Sequence, residues 1–250
     1  MPRRRFFIPK DQIRGGTAIL TPDQAHHLRT VLRLGAGEEV ELFDGEGSAY
    51  SGRIESQDAE VRIGGLAPLE PANSPGTTLV LAAAIIKPDR FEWILQKGTE
   101  LGVSRFLPLV TRFTAGHIHT ARVASKVQRW QRIVREACKQ SRRLTMPDIQ
   151  TPMTFDRLLA DQEYFTCSRI MLYEQAPERL KSDADVGDRV LLCVGPEGGW
   201  DAGEAEAAAL AGFRLVNLGS GILRAETACL AAIAIFRFLL EDRQRPVKEY

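Results

Sequence analysis

Val190-Leu191-Leu192-Cys193-Val194-Gly195-Pro196-Glu197-Gly198-Gly199-Trp200 runs an apolar strand directly into a loop of three glycines and a proline. Five consecutive apolar residues suit a strand covered on both faces, as in a parallel sheet. Asp201 stands three residues before Glu204, the spacing of a helix N-cap and its reciprocal partner, and an alanine-rich helix follows as far as Gly212. The plan then repeats: Phe213 to Leu218 reads as a strand, Gly219-Ser220-Gly221 as a turn and Ala225 to Leu240 as a helix. Strand, loop and helix in succession indicate an α/β class, in which small ligands sit beyond the carboxyl ends of the strands. Two such loops side by side build one pocket. The chain has no G-x-x-x-x-G-K-[ST] and no G-x-G-x-x-G, and Glu197 repels a phosphate, so a ligand with a positive or neutral centre fits better than a nucleoside triphosphate. On spacing alone, two ordinary strand-to-helix turns explain the pattern equally well.

The residues themselves carry more than their spacing. Gly195-Pro196-Glu197-Gly198-Gly199, Leu218-Gly219 and Ile222-Leu223-Arg224-Ala225-Glu226-Thr227-Ala228 resemble, in that order, the signature of the RsmE family. The resemblance extends to His26-His27-Leu28-Arg29, Val31-Leu32-Arg33-Leu34, Leu42-Phe43-Asp44-Gly45, Lys97-Gly98-Thr99-Glu100-Leu101-Gly102-Val103 and Gln140-Ser141-Arg142-Arg143. It implies an S-adenosylmethionine-dependent methyltransferase acting on N3 of a uridine in 16S ribosomal RNA of the small subunit. The implied fold is a C-terminal SPOUT-type domain with a mainly parallel sheet and a trefoil knot, preceded by a small PUA-like β-barrel. Members pair as homodimers through their C-terminal helices.

The same likeness implies the cofactor contacts. Backbone groups of Gly195, Glu197, Gly198, Leu218, Ile222 and Leu223 hold the adenosine and methionine parts, with Val194, Pro196, Gly219, Thr227 and Ala228 beside them. The strand tip at Leu172 and Glu174 offers a third wall. Two positions depart from the family pattern: Thr111-Arg112-Phe113, where an acidic residue usually precedes the arginine, and Gly221, where relatives commonly carry arginine.

With 250 residues, 44% of them apolar, the chain is long enough for one large or two modest domains. It has no apolar run of about 18 residues, and Arg3-Arg4-Arg5 is followed by only three apolar residues before Pro9, so neither a membrane span nor a secretory signal is expected and the location reads as cytoplasmic. Cys138, Cys167, Cys193 and Cys229 lie far apart and read as buried free thiols. His117 and His119 alone have a metal-like spacing, but they lack an acidic or thiol companion, and no metal is expected.

A net charge of +1 conceals segregation. Residues 1–33 hold seven basic side chains against two acidic ones, and residues 122–143 hold eight against Glu136 alone. A polyanion-binding face on a nearly neutral protein has this distribution. Arg3, Arg4 and Arg5 read either as a solvated terminus or as phosphate contacts. His26, His27, Arg29 and Arg33 join the RNA-facing set through the resemblance, as do Lys87 and Arg112. The helix from Arg122 to Ser141 turns Val123, Val127, Trp130, Val134, Ala137 and Cys138 to one side and its bases to the other, so that Arg129 and Arg132, with Arg142 and Arg143 beyond its end, are expected on an RNA backbone.

Short β signals at Thr17–Leu20, Glu39–Phe43, Ala49–Glu55 and Glu60–Ile63, with one helix capped near Asp23, suggest a compact barrel over 1–71. Three prolines in Pro68–Gly76 mark a linker, and residues 76–250 form the second domain. It opens with a strand over Leu79–Ile86, a helix capped by Asp89 and a strand over Arg105–Val110. Neither a Ser-His-Asp order nor a pair of catalytic carboxylates emerges, whereas methyl transfer requires chiefly alignment. Uracil N3 must lose its proton first. Arg224, just ahead of the last helix, is the candidate to stabilise the resulting anion; Glu226 and Thr227 either orient the base, relay the proton or simply cap the helix. The alternatives are a non-catalytic RNA-binding protein and a related knotted methyltransferase acting on a ribose 2′-hydroxyl of transfer RNA.

Overall fold

The computed structural model describes residues 4–58, 60–70, 76–114, 123–181 and 186–243. The chain divides into two compact units, 1–74 with 138–146, and 75–137 with 147–250. Arg3, His117, His119 and most of the proline-rich linker lie outside the described residues.

In the first unit, β1 (Arg4–Phe7), β2 (Ile13–Arg14), β3 (Thr17–Ile19), β4 (Glu39–Phe43), β5 (Ala49–Ser56) and β6 (Arg62–Leu69) form one sheet in the order β1-β4-β5-β6-β3-β2. Only the β1–β4 pair is parallel, and it sets Phe6 opposite Leu42 and Phe7 opposite Phe43. Phe6, Ile8, Leu28, Val40, Leu42, Ile54 and Ile63 fill the core. Helix α1 (Pro22–His26) continues as a π-helical turn over His27–Leu32 and stops at Arg33, whose φ of 52° is left-handed. Its N-cap is Thr21 rather than Asp23, because Pro22, with its preset φ and no N–H to satisfy, takes the first helical position.

The second unit contains β7 (Thr78–Ala84), α2 (Pro88–Glu100), β8 (Arg105–Val110), α3 (Val123–Ser141, whose last residues belong to the first unit), β9 (Asp148–Ile149), β10 (Met153–Thr154), α4 (Phe155–Leu159), β11 (Ser168–Leu172), β12 (Arg189–Val194), α5 (Ala202–Leu210), β13 (Arg214–Val216) and α6 (Ala225–Arg243). The strand order is β10-β8-β7-β12-β11-β13, with β9 also paired to β8, and every pair is parallel. β12 is central, and all of Val190–Val194 is buried, as its unbroken apolar run requires. Pro88 again takes the first helical position, so Lys87 rather than Asp89 is the N-cap of α2.

The strand order places the binding loops. β13 lies at the sheet edge beyond β11, yet α6 packs on β7, β12 and α2. Between them the chain runs along the β11–β12 connection: Asn217 N donates to Glu178 O (2.9 Å), Leu180 N to Asn217 O (2.9 Å) and Asn217 Nδ2 to Ala176 O (2.7 Å). A return across an intervening connection is rare in proteins, and a knotted fold requires one.

Candidate active site

Two loops meet at the carboxyl ends of β11, β12 and β13. The first leaves β12 at Val194 and turns tightly, with Gly199 N donating to Pro196 O (2.9 Å) and Gly199 at φ +73°. Trp200 closes it: the indole is buried, packs tilted against Phe155 with ring centres 4.7 Å apart and donates from Nε1 to Leu172 O (2.9 Å). A Cβ on Gly195 would lie 2.9 Å from that nitrogen, so the indole can occupy this place only against a glycine. Beyond it, Asp201 and Glu204 form the expected capping box, with Gly203 N on Asp201 Oδ1 (3.0 Å) and Asp201 N on Glu204 Oε2 (3.2 Å).

The second loop follows β13. Asn217 Oδ1 accepts from Gly219 N (3.0 Å), and Gly219 adopts φ +131°, which bends the chain toward Gly221. Ile222 and Leu223 stand exposed, 89% and 41%, before α6 begins. Arg224 caps that helix through its carbonyl, which accepts from Ala228 N (2.8 Å).

Both loops line one cleft of about 700 Å³, part of it open to solvent. Leu172 and Glu174 come from β11 and its end, Val194, Gly195, Pro196 and Glu197 from the first loop, and Leu218, Gly219, Ile222, Leu223 and Ala228 from the second loop and α6. These eleven are sequence-predicted contacts, brought together from three segments. Gly198 points elsewhere: a Cβ there would sit 3.2 Å from Phe113 Cβ. Thr227 is exposed and also lies outside the cleft lining. Tyr173, Gly199, Trp200, Val216, Asn217, Gly221 and Ala225 complete the lining; none was named as a contact, although Gly199, Trp200 and Gly221 lie in the two loops expected to build the pocket. Asn217 had a legible signal, as the last residue before Leu218-Gly219 at a turn.

The cleft combines apolar walls with the carboxylates of Glu174 and Glu197, a lining suited to an adenine ring and a cationic centre. Arg90, in the first turn of α2, reaches Glu197 (Nη1 to Oε1, 3.0 Å) and Glu226 (Nε to Oε1, 3.7 Å). Glu226 is largely buried, and its Oε2 has no hydrogen-bond partner. The Arg224 side chain is exposed and outside the cleft lining. At the divergent Thr111-Arg112-Phe113, Arg112 N donates to Glu204 Oε1 (2.9 Å) and its guanidinium lies 3.5 Å from Asp201. Nothing lies within 4 Å of a Cβ built on Gly221, which leaves room for a larger side chain.

The basic candidates fall into distinct situations. In the first unit Arg5 requires a correction: it is 9% exposed, lies 2.8 Å from Glu41 and donates to Cys138 O (3.2 Å) and Arg143 O (3.0 Å), with its guanidinium 4.3 Å from the Phe43 ring centroid. Arg5 lies on the face of β1 that it shares with Phe7 and that residues 138–143 cover, whereas Arg4 is exposed at the start of the strand, so Arg5 is a structural ion and not a phosphate contact. Burial draws its pKa down, against the opposing pull of Glu41. Arg142 also pairs with Glu41 (2.7 Å) but stays 57% exposed, and Arg143 is half-buried. Arg29 is half-buried and donates to Asp58 O (2.9 Å), His27 is half-buried, and Arg4, His26 and Arg33 are exposed. In the second unit Lys87 and Arg132 are exposed, while Arg129 pairs with Glu92 (Nη2 to Oε2, 2.7 Å), which raises its pKa. Among the described residues no three His, Cys, Asp or Glu side chains gather as a metal group, and no helix is long and apolar enough to cross a membrane.

Known proteins share this arrangement. An RNA methyltransferase domain matches residues 73–237, and an RNA methyltransferase PUA domain matches residues 20–63. Ribosomal RNA small subunit methyltransferase E of Synechocystis is 34% identical over 95% of this chain and 78% of its own, and that of Rickettsia conorii is 34% identical over 86% of each. The crystal structure of the Neisseria gonorrhoeae enzyme of that name, bound to S-adenosyl methionine, superposes with a TM-score of 0.86 at 32% identity, covering 95% of this chain and 98% of the other. A putative Legionella pneumophila methyltransferase with the same bound cofactor gives 0.85 at 28%, covering 95% and 98%. With its glycine-loop cleft, its parallel sheet and these matches along nearly its whole length, the chain belongs to the ribosomal RNA small subunit methyltransferase E family, a SPOUT-type methyltransferase preceded by a PUA domain.

Proposed function

We propose that this protein transfers a methyl group from S-adenosylmethionine to N3 of a uridine in 16S ribosomal RNA. The observation that carries this reading is the single cleft that both glycine loops line, with apolar walls and two carboxylates. S-adenosylmethionine supplies an already activated methyl on a sulfonium, so the protein's own task is alignment and charge management. The contacts assigned to it are Leu172, Glu174, Val194, Gly195, Pro196, Glu197, Leu218, Gly219, Ile222, Leu223 and Ala228, with Gly198 and Thr227 supporting the loop and helix they belong to.

The uracil imide is a poor nucleophile until it loses its proton. Arg224 has an exposed guanidinium at the amino end of α6, where helix dipole and side-chain charge together favour an anion on the base. Glu226 and Thr227, in the first turn, orient the base or relay its proton.

In this reading residues 1–71 form an RNA-holding domain and 76–250 the catalytic one. Arg4, His26, His27, Arg29, Arg33, Arg142 and Arg143 serve the first, and Lys87, Arg112, Arg129 and Arg132 the second. The protein works in the cytoplasm on ribosomal RNA or the small subunit, without a metal, as a homodimer. Ile235 (37% exposed) and Phe238 (60% exposed) support the last point, since they put apolar surface on the open side of α6.

Calorimetric titration with S-adenosylmethionine tests the carrying observation. Saturable binding is expected, abolished in a variant whose cleft is filled by Gly219→Trp. A folded wild-type protein with no detectable binding would favour a non-catalytic RNA-binding protein.

A further inference from the structure

Arg90 joins three parts of the second unit that are remote in sequence. It rises from the first turn of α2, meets Glu197 in the glycine loop (3.0 Å) and lies 3.7 Å from Glu226 in the first turn of α6. A guanidinium is suited to this work: it is planar, always charged, and presents donors in several fixed directions, so one side chain can bridge two carboxylates. Stability is a poor reason for the arrangement, because the Arg90 and Glu197 side chains are 29% and 36% exposed, and ion pairs so open to water contribute little.

The stronger observation is at the other end of the bridge. Glu226 Oε1 faces Arg90, whereas Oε2 is buried and has no hydrogen-bond partner. A carboxylate oxygen removed from water without a donor is costly, so the arrangement serves what it positions rather than stability. Ala225 and Ala228, on either side of Glu226, line the cleft.

We propose that Arg90 is a positioning residue: it ties Glu197 to Glu226, fixing the glycine loop after β12 relative to the first turn of α6, where both border the cleft. This deepens the methyltransferase reading and rests on it. Misplacement by an ångström at a site that works by alignment is expensive in rate, so the bridge acts on turnover rather than on folding.

The experiment compares wild type, Arg90→Ala, Arg90→Lys and Glu226→Gln. It measures melting temperature, calorimetric affinity for S-adenosylmethionine without RNA, and kcat on small subunits from cells lacking the enzyme. Arg90→Ala is expected to keep its melting temperature within a few degrees and lose on the order of 100-fold in kcat, with Arg90→Lys in between because a single ammonium cannot span both carboxylates. Adding Arg90→Ala to Glu226→Gln is expected to cost less than the product of the two single losses, since both changes break one linked unit. If Arg90→Ala also weakens cofactor affinity, the bridge positions the loops for S-adenosylmethionine; if affinity holds and kcat falls, it positions them for the RNA. Wild-type kcat in Arg90→Ala, or a collapse in melting temperature that Arg90→Lys does not repair, would overturn the proposal. A wild-type protein that binds cofactor but leaves the subunits unmethylated would sink the reading beneath it instead.

Discussion

Trp200 Nε1 donates to the carbonyl oxygen of Leu172 across 2.9 Å, fastening the glycine loop after β12 to the end of β11. The indole fits because Gly195 offers no Cβ, which would sit 2.9 Å from the same nitrogen. Gly195→Ala is therefore expected to push the indole away and weaken S-adenosylmethionine binding roughly 10-fold, the cost of about one misplaced interaction. Trp200→Phe, which keeps the ring and loses the donor, should weaken it less. Calorimetry reads both, and unchanged affinity in Gly195→Ala would detach this contact from cofactor binding.

Arg224 makes a separate case. Its side chain is exposed, so Arg224→Ala is expected to leave the melting temperature within a few degrees of wild type. Turnover on undermethylated subunits should fall about 100-fold or more, the usual loss when a group that stabilises developing negative charge is removed. Near-normal turnover would remove Arg224 from the mechanism.

The Arg5–Glu41 pair carries a stability prediction. Both side chains are nearly excluded from water, at 5% and 7% exposure. Arg5→Ala strands a buried carboxylate with only Arg142 to face it, and should cost on the order of 3 kcal/mol in urea unfolding of the N-terminal unit. Arg4→Ala, exposed at the start of the same strand, should cost less than about 0.5 kcal/mol. Equal costs would mean that the buried Arg5–Glu41 pair contributes no more than an exposed arginine.

The thiols should be quiet. All four cysteines are buried and free, and burial disfavours the thiolate, so each pKa moves up; Cys138 is pushed up to about 11. At pH 8 the reactive form is then scarce, and a disulfide reagent should label native protein slowly and all four thiols promptly in guanidinium. Raising the pH toward 11 should speed labelling of Cys138. Rapid labelling of native protein at pH 8 would contradict this.

On α6, Phe238→Glu should convert a dimer to a monomer by light scattering while sparing the melting temperature of the isolated chain, because Phe238 is 60% exposed there. An unchanged mass would place any dimer contact elsewhere.

Much of this was legible in the sequence. The apolar run Val190–Val194, the Asp201–Glu204 capping box, the strands Glu39–Phe43 and Arg105–Val110 and the α3 face around Trp130 and Val134 are local signals that tertiary packing leaves intact. The N-caps ahead of Pro22 and Pro88 lie two residues before the expected Asp23 and Asp89, since a proline's preset geometry outweighs an acidic cap. Long-range pairings stayed hidden. Nothing in the string Arg3-Arg4-Arg5 marks Arg5 for Glu41, because its partner lies across a parallel strand pair thirty-six positions away. Arg90 was invisible for the same reason: its two carboxylates lie 107 and 136 positions further along the chain. Asn217 is legible as a turn residue before Leu218-Gly219, but its place in the cleft is defined only when the loops meet.

The central claim is that the cleft delivers a methyl group to a uridine ring nitrogen. Small subunits from cells lacking the enzyme, incubated with the protein and methyl-labelled S-adenosylmethionine, then digested to nucleosides and analysed by mass spectrometry, test it most directly. The account predicts label in 3-methyluridine from 16S ribosomal RNA; label in a 2′-O-methyl nucleoside, or none with folded and cofactor-bound protein, would contradict it.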